Sequence, residues 1–352
     1  LMPDISQVQP AAFNCEGGLV LNRSSFLMKP GEALVLENFE SDVEGGYRRM
    51  NGYRKHLNHI VPQTSAASER IIGVANFANK VIACRGEKIF NGASTELAEA
   101  ITVNATMSGS GILKVDSVLG FTSSGTLQID GGVQQDGTTN ASEIFTYTGV
   151  NTSVKPNEFT GVTRATSSTA AAAHLSNVVV SSSWTEIDTG RTNASKYRFE
   201  RFNYNNTEKI ILVDEVNAPV VFDSSFNAVD ISQSSVAGSK FVASFKDHMF
   251  YAGKSTTPEE LVFSEGFNED GFSAGASLPA GTIRVDDTIT GLKVFRDALF
   301  IFCENRIFKL TGVGSTTFAV VPVTRSIGCI NGDTIQEFAG DLVFLGPDGL
   351  RT

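Results

Sequence analysis

The chain of 352 residues is long enough for two domains and a sizeable core. Its 28 Lys and Arg against 38 Asp and Glu give a formal net charge of −10, opposite to the balance of a protein held to nucleic acid by phosphate contacts. A hydrophobic share of 41%, with 33 Gly and 25 Phe, suits pleated sheets joined by tight turns. Because no long stretch shows the apolar spacing of an amphipathic helix, we expect an all-β fold.

Residues 1–60 are predicted to form an extended arm followed by short strands. Pro and Gly recur through residues 1–30, for example at Pro3, Pro10 and Pro30, and both residue types disfavour regular structure. We expect this arm to lie on another surface. Two strands then meet at Gly45-Gly46, which is typical of a tight hairpin turn.

A basic cluster follows this turn and is the candidate partner-contact site. It consists of Arg48, Arg49, Arg54 and Lys55. Three interpretations stay open: a solvated strand face with acidic neighbours in the preceding turn, a contact with another subunit, or a contact with DNA phosphates.

A unit of strand, short polar turn and strand recurs along the chain. Five copies begin at Phe77, Phe202, Phe245, Phe295 and Phe338. The last three intervals are 43, 50 and 43 residues, and a period of roughly 40 to 50 residues in a strand-rich chain is typical of four-stranded propeller blades. We predict a β-propeller-like body over residues 61–97 and 181–352.

The first interval departs from this period and predicts an inserted domain. It is 125 residues long, which exceeds one period by about 80. Residues 98–180 are poor in charge and rich in Thr, Ser, Gly and Ala, with short alternating strands between Gly turns. We expect a small inserted β-domain here.

The N-terminal motifs resemble those of known viral proteins. The order Gly17-Gly18-Leu19, Pro30-Gly31-Glu32-Ala33-Leu34, Asn38-Phe39, Gly45-Gly46-Tyr47-Arg48-Arg49 and Gly52-Tyr53, followed by the repeats, is similar to tail structural proteins of the nozzle or hub type in short-tailed bacteriophages. The resemblance implies a β-propeller subunit of a homo-oligomeric ring around the DNA exit channel, below the portal and adaptor. It also implies a virion location after synthesis in the host cytoplasm, other tail proteins as partners, and DNA that passes through without specific binding.

The inserted segment carries a second resemblance. Its order of Gly125-Thr126, Ile129, Glu143 to Gly149, Phe159 to Arg164 and Ala170 to His174 looks like a small module found inserted in assorted phage virion proteins. The size of that module agrees with the excess in the repeat spacing, so two arguments place the same insert.

Motifs for metal, cofactor or nucleophilic chemistry are incomplete. The four His have no metal-ligand spacing, and no Gly-x-Ser-x-Gly motif or phosphate-binding loop is present. Cys15, Cys84, Cys303 and Cys329 lack a C-x-x-C spacing and are expected to be buried free thiols. We expect no catalytic site, no metal and no cofactor. The sequence also has neither a leader pattern nor an apolar run of membrane-spanning length, so we expect no membrane partner.

Recurring carboxylates leave a second function open. Asp247, Asp297, Asp341 and the pair Asp286-Asp287 could supply the acid and base of a propeller glycosidase, although an acidic residue beside a turn is also an ordinary turn former. The leading hypothesis is a non-catalytic tail subunit, and the alternative is a propeller glycosidase or glycan-binding tail component. An enzyme should bring two carboxylates together in one cleft, whereas a structural subunit should spread them over its surfaces.

The last repeat contains only one strand and a turn. An open sheet edge there predicts either that the strands near residues 34–55 complete the sheet or that the chain is a piece of a longer protein. Of the two interpretations, we favour the one in which the chain is a piece of a longer protein.

Overall fold

In a computed structural model, residues 18–19, 27–29, 32–33, 37, 39–41, 47–49, 55–63, 69–102, 111–129 and 142–352 are described. The chain divides into two compact units, Leu1–Lys55 and His56–Thr352. In the first unit, β1 (Gly18–Leu19) pairs in parallel with β2 (Glu32–Ala33), and β3 (Phe39–Ser41) pairs antiparallel with β4 (Tyr47–Arg49). Most of the predicted arm, Cys15, Arg54 and the Gly45-Gly46 turn lie outside the described residues.

The second unit is built from strands. In chain order they are β5 (Ile71–Phe77), β6 (Lys80–Arg85), β7 (Lys88–Gly92), β8 (Ser94–Glu96), β9 (Gly111–Val115), β10 (Gly125–Ile129), β11 (Glu143–Tyr147), β12 (Gly149–Asn151), β13 (Asn157–Val162), β14 (Val179–Ser182), β15 (Thr185–Asp188), β16 (Arg198–Tyr204), β17 (Thr207–Val213), β18 (Val220–Asp223), β19 (Ala228–Asp230), β20 (Phe241–Phe245), β21 (His248–Lys254), β22 (Thr257–Phe263), β23 (Gly281–Arg284), β24 (Ile289–Phe295), β25 (Ala298–Cys303), β26 (Ile307–Thr311), β27 (Ala319–Thr324), β28 (Gln336–Phe338), β29 (Asp341–Gly346) and β30 (Gly349–Arg351). The described residues contain no α-helix, and a 3₁₀ turn spans Gly332–Thr334. The prediction of an all-β fold is confirmed.

Five antiparallel sheets follow one another along the chain. Sheet 1 has the strand order β15-β7-β6-β5, sheet 2 is β16-β17-β18-β19, sheet 3 is β20-β21-β22-β23, sheet 4 is β24-β25-β26-β27, and sheet 5 is β28-β29-β30. Each sheet therefore contains one copy of the repeat as its first hairpin. Closure of these sheets into a propeller stays a prediction.

The backbone conformation of the recurring turn explains which residue types occur in it. Its two residues have positive φ in four of the five copies, at Ala78-Asn79, Asn205-Asn206, Lys246-Asp247 and Ala339-Gly340, and Arg296 has positive φ in the fifth. Two-residue turns with positive φ match the twist of paired strands, and Asn, Asp and Gly tolerate this conformation best. The Asn, Asp and Gly residues of these turns are therefore hairpin formers.

Successive sheets pack face to face because their second strands are apolar on both sides. In β17, Ile210 and Leu212 join the core shared with sheet 1, whereas Ile211 joins the core shared with sheet 3. Neighbouring side chains in a strand point to opposite faces, so one strand serves two cores. The same alternation continues in sheets 3 and 4, and the second strand of sheet 5 joins the core shared with sheet 4.

Between β7 and β15 the described residues form seven strands that pair among themselves. They make the sheets β11-β10-β14-β8 and β12-β13-β9, which enclose one core. The two ends of this region meet, because the Ser182 amide donates to the Ala93 carbonyl at 2.9 Å and the Ala93 amide donates to Ser182 Oγ at 3.0 Å. We call residues 94–182 the insert.

Candidate functional site

The structure describes three of the four predicted partner-contact residues, because Arg54 lies outside the described part of the chain. Arg48 and Arg49 are on β4, in register with Glu40 and Phe39 of β3. Arg49 and Lys55 are exposed. The role of the cluster in partner contact stays a prediction.

The recurring acidic residues lie on or beside neighbouring hairpin turns. Lys246 Nζ in sheet 3 lies 2.5 Å from Asp297 Oδ1 in sheet 4, and Arg296 Nη2 in sheet 4 lies 3.6 Å from Asp341 Oδ1 in sheet 5. These exposed pairs connect successive turns along the stack. Exposed ion pairs contribute little energy, so they align the turns more than they stabilise them.

The pair Asp286-Asp287 has a structural explanation. Asp286 forms an ion pair with Arg306. Asp287 accepts hydrogen bonds from the Thr288 amide at 2.9 Å and the Asn305 amide at 2.7 Å. Because both side chains are held at the edge of sheet 4 by partners of that sheet, they organise its loops.

A cleft of about 600 Å³ lies where sheets 2, 3 and 4 present the same edge. First strands begin and second strands end at this edge, so residues far apart in sequence meet here. The lining includes Arg198, Glu215, Lys240, Phe241, Thr288, Ile289 and Glu304, with Ile330, Asn331, Gly332 and Asp333 from the segment that leads into sheet 5. We call residues 329–335 the strap.

The strap fits closely over the ends of sheets 3 and 4. A Cβ atom at Gly332 would overlap the carbonyl oxygen of Thr290 and lie 3.0 Å from the Phe241 ring. Asn331 Oδ1 caps the 3₁₀ turn by accepting from the Asp333 amide at 3.0 Å. The strap therefore holds Asp333 at a fixed position above the cleft.

A charge network, here the Arg198 clasp, joins the strap to sheet 2. Arg198 Nε and Nη2 donate to the two carboxylate oxygens of Asp333 at 3.1 and 3.3 Å, and Arg198 Nη1 donates to Glu215 Oε1 at 3.1 Å. Lys196 Nζ lies 2.8 Å from Asp333, and Lys240 Nζ lies 3.2 Å from Glu215. The paired fork geometry adds specificity, so the clasp fixes the position of the strap relative to sheet 2.

The clasp limits acid–base chemistry in the cleft. Burial alone would raise the pKa of Asp333, but hydrogen bonds from Lys196 and Arg198 lower that pKa below its usual value. A glycosidase acid needs a carboxyl that stays protonated near neutral pH. Asp333 and Glu215 converge in one cleft, yet both are paired with cations.

A second polar cluster lies inside the insert, where Glu143 is completely buried. Its carboxylate accepts from Arg164 Nε at 2.9 Å and Nη2 at 2.7 Å, and from the Ala165 and Ala172 amides at 2.9 Å each. His174 Nε2 lies 3.1 Å away. Burial would raise the pKa of Glu143, but the hydrogen bonds from Arg164, His174 and Ala172 bring it to about 2.

This cluster ties the segment after β13 back to β11. Glu143, Arg164 and His174 all belong to the motifs by which the insert resembles a phage virion module, but those motifs predict no contact between them. Glu143 begins a strand and Arg164 follows another, a spacing that gives no separate signal of pairing. The contact depends on which strands face each other across the insert's core.

The contact between Ser94 and His56 does not have the geometry of a nucleophile and base. Ser94 Oγ lies 3.1 Å from Nδ1 and 3.3 Å from Nε2 of His56. An oxygen nearly equidistant from both ring nitrogens lies opposite the carbon between them, away from either lone pair. A catalytic pair needs one aligned hydrogen bond.

The cysteines in the described part of the chain are buried free thiols, as predicted: Cys84, Cys303 and Cys329. Burial raises the pKa of Cys303 to about 12, so its thiolate is scarce at neutral pH. Across the residues that the structure describes, no group of three or more His, Cys, Asp or Glu is arranged to hold a metal ion. None of the described helical segments is long and apolar enough to cross a membrane.

Comparisons with known proteins give distant structural similarity. No protein-family profile and no curated protein sequence matches the chain. The endosialidase of phage phi92 aligns at 13% identity and a TM-score of 0.34, over 75% of this chain and 47% of the endosialidase chain. A chain from the crystal structure of BBS1N in complex with ARL6DN aligns at 7% identity and a TM-score of 0.32, over 80% of this chain and 76% of that one. At these scores the alignments carry none of the proposals below.

Proposed function

We propose that the chain is a structural subunit of a bacteriophage tail, one copy in a ring of the nozzle or hub type around the DNA exit channel. The observation that carries this proposal is the succession of stacked sheets, each opened by the same Phe-containing hairpin. Such a succession of sheets suits the β-propeller subunit that the resemblance of the N-terminal motifs implies. The ring would lie below the portal and adaptor in the virion, with other tail proteins as neighbours.

A structural role suits how the charged groups are used. The recurring acidic residues are spread over turns, and two of the three carboxylates that line the cleft, Glu215 and Asp333, are paired with Arg198. A subunit with a net charge of −10 would repel phosphates. DNA would then slide past the subunit without sticking, and the subunit itself would perform no catalysis.

The first test measures assembly and DNA binding together. We expect the purified chain to form rings visible in negative-stain images and to bind duplex DNA negligibly at physiological salt. Deleting residues 1–30 or introducing Arg49→Glu should weaken assembly, because the arm and the basic cluster are the predicted contacts. Arg325→Glu, at an exposed position in the body, is the matched control.

Two results would contradict the proposal in different ways. A chain that stays monomeric at all concentrations would remove the ring. Sub-micromolar DNA binding with a steep salt dependence would remove the acidic channel. Unchanged assembly after deletion of residues 1–30 would exclude only the arm.

The glycan-binding alternative is supported by the cleft. No ion pair or hydrogen bond of the Glu304 side chain is found among the described residues, and this exposed side chain lines the same cleft as Ser255 and Thr288. Vicinal sugar hydroxyls pair well with such groups, and the cleft volume falls in the usual range for ligand sites. The Arg198 fork is already occupied by Asp333 and Glu215, which favours a neutral sugar over an anionic one.

Saturation-transfer NMR with maltotriose, triacetylchitotriose and trigalacturonate tests this alternative. Binding of a neutral probe that Glu304→Ala weakens about tenfold would support it. The matched control is Glu87→Ala, because Glu87 occupies the corresponding turn of sheet 1, away from the cleft. Absence of transfer from either neutral probe would remove the glycan role and leave the structural one.

A further inference from the structure

The three carboxylates that line the cleft differ in how their charges are balanced. Glu215 and Asp333 are both held by the Arg198 clasp, which adds a lysine to each of them. The third carboxylate, Glu304, is exposed, and the described part of the chain provides no cation within ion-pair distance of it. The negative charge that the cleft can offer to a ligand is therefore that of Glu304.

The backbone of Glu304 is held in place. Its amide donates to the Thr288 carbonyl at 3.0 Å, directly after β25. A Cβ atom at Gly328 would overlap the Glu304 carbonyl oxygen, so the chain that leads into the strap packs closely against this residue. Because the backbone is already ordered, a ligand that binds the carboxylate has to restrict only the side chain, which lowers the entropy cost of binding.

The rest of the lining supplies neutral hydrogen-bond acceptors and an apolar surface. Ser255 and Thr288 contribute hydroxyl groups. Pro258, Ile289 and Ile330 contribute apolar side chains. Ile330 lies on the strap and is 56% exposed. A mainly apolar surface with a few polar groups is typical of a site that binds and orients a small ligand.

This set of groups suits an organic ammonium better than a metal ion or an anion. A primary ammonium has three N–H donors and no acceptor, which one carboxylate and two hydroxyls can satisfy. Ca²⁺ and Mg²⁺ require about six or more oxygen ligands, and no group of metal-binding side chains is found among the described residues. An anion would meet cations that already pair with Glu215 and Asp333.

We propose that the cleft binds a primary ammonium group on an unbranched aliphatic stem, with the ammonium at Glu304 and the stem against Ile330. Stems of this kind lie readily along apolar surface while the charged end stays polar. A lysine side chain of another protein and a free diamine share this chemistry. The site goes beyond the proposed ring, which does not require it, and its ligand differs in charge from the neutral sugar of the glycan alternative.

Ligand-observed NMR titrations of the full chain at neutral pH and low salt test the site. The probes are Nα-acetyl-lysine methylamide, cadaverine and glucosamine, and Nα-acetyl-norleucine methylamide is the uncharged analogue of the first probe. We expect the lysine derivative and cadaverine to bind with a Kd on the order of 1 mM. The norleucine derivative has an aliphatic stem without the ammonium and should not bind.

Two substitutions separate the charge from the stem contact. Glu304→Gln preserves the shape of the side chain and removes its charge, so it should weaken binding of both aliphatic amines about tenfold or more. Ile330→Ser should weaken binding about threefold, because less apolar surface is covered. Glu87→Gln, in the exposed turn of sheet 1, is the matched control and should bind as the original chain does. Unchanged Trp184 fluorescence would establish that the variants fold.

The outcomes distinguish the ligand classes. The proposal is wrong if neither aliphatic amine binds at about 10 mM, or if Glu304→Gln binds them as the original chain does. Binding of glucosamine alone would assign the cleft to amino sugars and exclude the aliphatic stem. Binding of both aliphatic amines supports the shared chemistry, whereas binding of one identifies either a lysine side chain or a free diamine as the source. Ring formation is measured separately, so failure of this site leaves the proposed ring intact.

Discussion

The insert and the stacked sheets are both all-β, but they bury their apolar residues in different ways. In the insert two sheets face one core, and β11 alternates between buried and half-buried residues along its length. In the stack, strands such as β6 and β25 have runs of buried residues, because both faces pack against other parts of the chain. The insert behaves as a small closed sandwich, whereas each inner sheet depends on both neighbours.

This difference predicts how far a local defect spreads. A residue lost from the insert weakens one core with no further sheet behind it. A residue lost from the stack weakens a core whose two sheets also serve other cores. Trp184 is the single Trp of the chain and packs on sheet 1, so its fluorescence reports on the stack.

The largest contrast is expected from removing one buried ring in each region. Phe222→Ala, between sheets 1 and 2, and Phe159→Ala, inside the insert, should each cost about 3–5 kcal/mol because both rings are fully buried. Only Phe222→Ala should lower the midpoint of the Trp184 fluorescence transition in urea. Phe267→Ala, on a partly exposed ring, is the matched control. An equal shift from Phe159→Ala would mean that the two regions unfold as one unit.

The next largest difference in stability between the insert and the stack is expected at low pH. Because the folded pKa of Glu143 is lowered from 4.5 to about 2, its carboxylate stabilises the insert fully above pH 4.5 and loses that effect as pH falls toward 2. Glu143→Gln leaves Arg164 without its buried anion and should destabilise the insert by about 3 kcal/mol at pH 7. The difference from the original chain should shrink below pH 4.

Hydrogen exchange in β10 and β11 measures this effect, with the exposed Glu99→Gln as control. A difference between Glu143→Gln and the original chain that stays constant from pH 7 to pH 3 would show that the carboxylate charge does not stabilise the insert.

A smaller effect is expected where the two regions touch. Asn58 Nδ2 donates to the carbonyls of Gln128 and Val179 at 3.0 Å each, which attaches the segment beside sheet 1 to the insert. Asn58→Ala should cost about 1–2 kcal/mol and widen the separation between the two unfolding transitions in calorimetry. Asn203→Ala, on an exposed side chain, should leave the transitions where they are.

The smallest effect on the stack is expected from removing the insert altogether. Because Ala93 and Ser182 are joined by two hydrogen bonds, a short Gly/Ser linker between them can replace residues 94–181 with little strain. The Trp184 transition should then shift by less than about 1 kcal/mol. Recovery of the shortened chain only as aggregate would mean that the insert completes the body's core.

The sequence predicted the individual strands and turns better than it predicted which of them contact one another. The recurring Phe and the Asn or Asp turns identified the first hairpin of each sheet because hairpin formation is local. The long first interval predicted an inserted domain because a break in spacing is visible along the chain, and the bounds of that domain stay a prediction.

The cleft was missed because its residues come from separate repeats. Arg198 and Asp333 are 135 positions apart, and each reads as an ordinary charged residue. One signal was present: the position four before the recurring Phe holds Arg198, Phe241 and Gly291, and all three lie at the cleft edge or under the strap. Recognising it required knowing that the sheets share one edge.

The two-residue turns of the stack also decide which side chain enters which core. In most sheets, sliding a strand by one residue moves apolar side chains into water, so polarity protects the pairing. In β17 such a slip would exchange one buried aliphatic residue for another, because Ile210, Ile211 and Leu212 are all apolar. The two registers therefore do not differ in how many apolar side chains are buried, and the turn at Asn205-Asn206 has to fix the register. Lengthening this turn by one residue would move Ile210, Ile211 and Leu212 each to the core on the opposite side of the sheet without exposing them to water. Solubility alone would not reveal this misassembly.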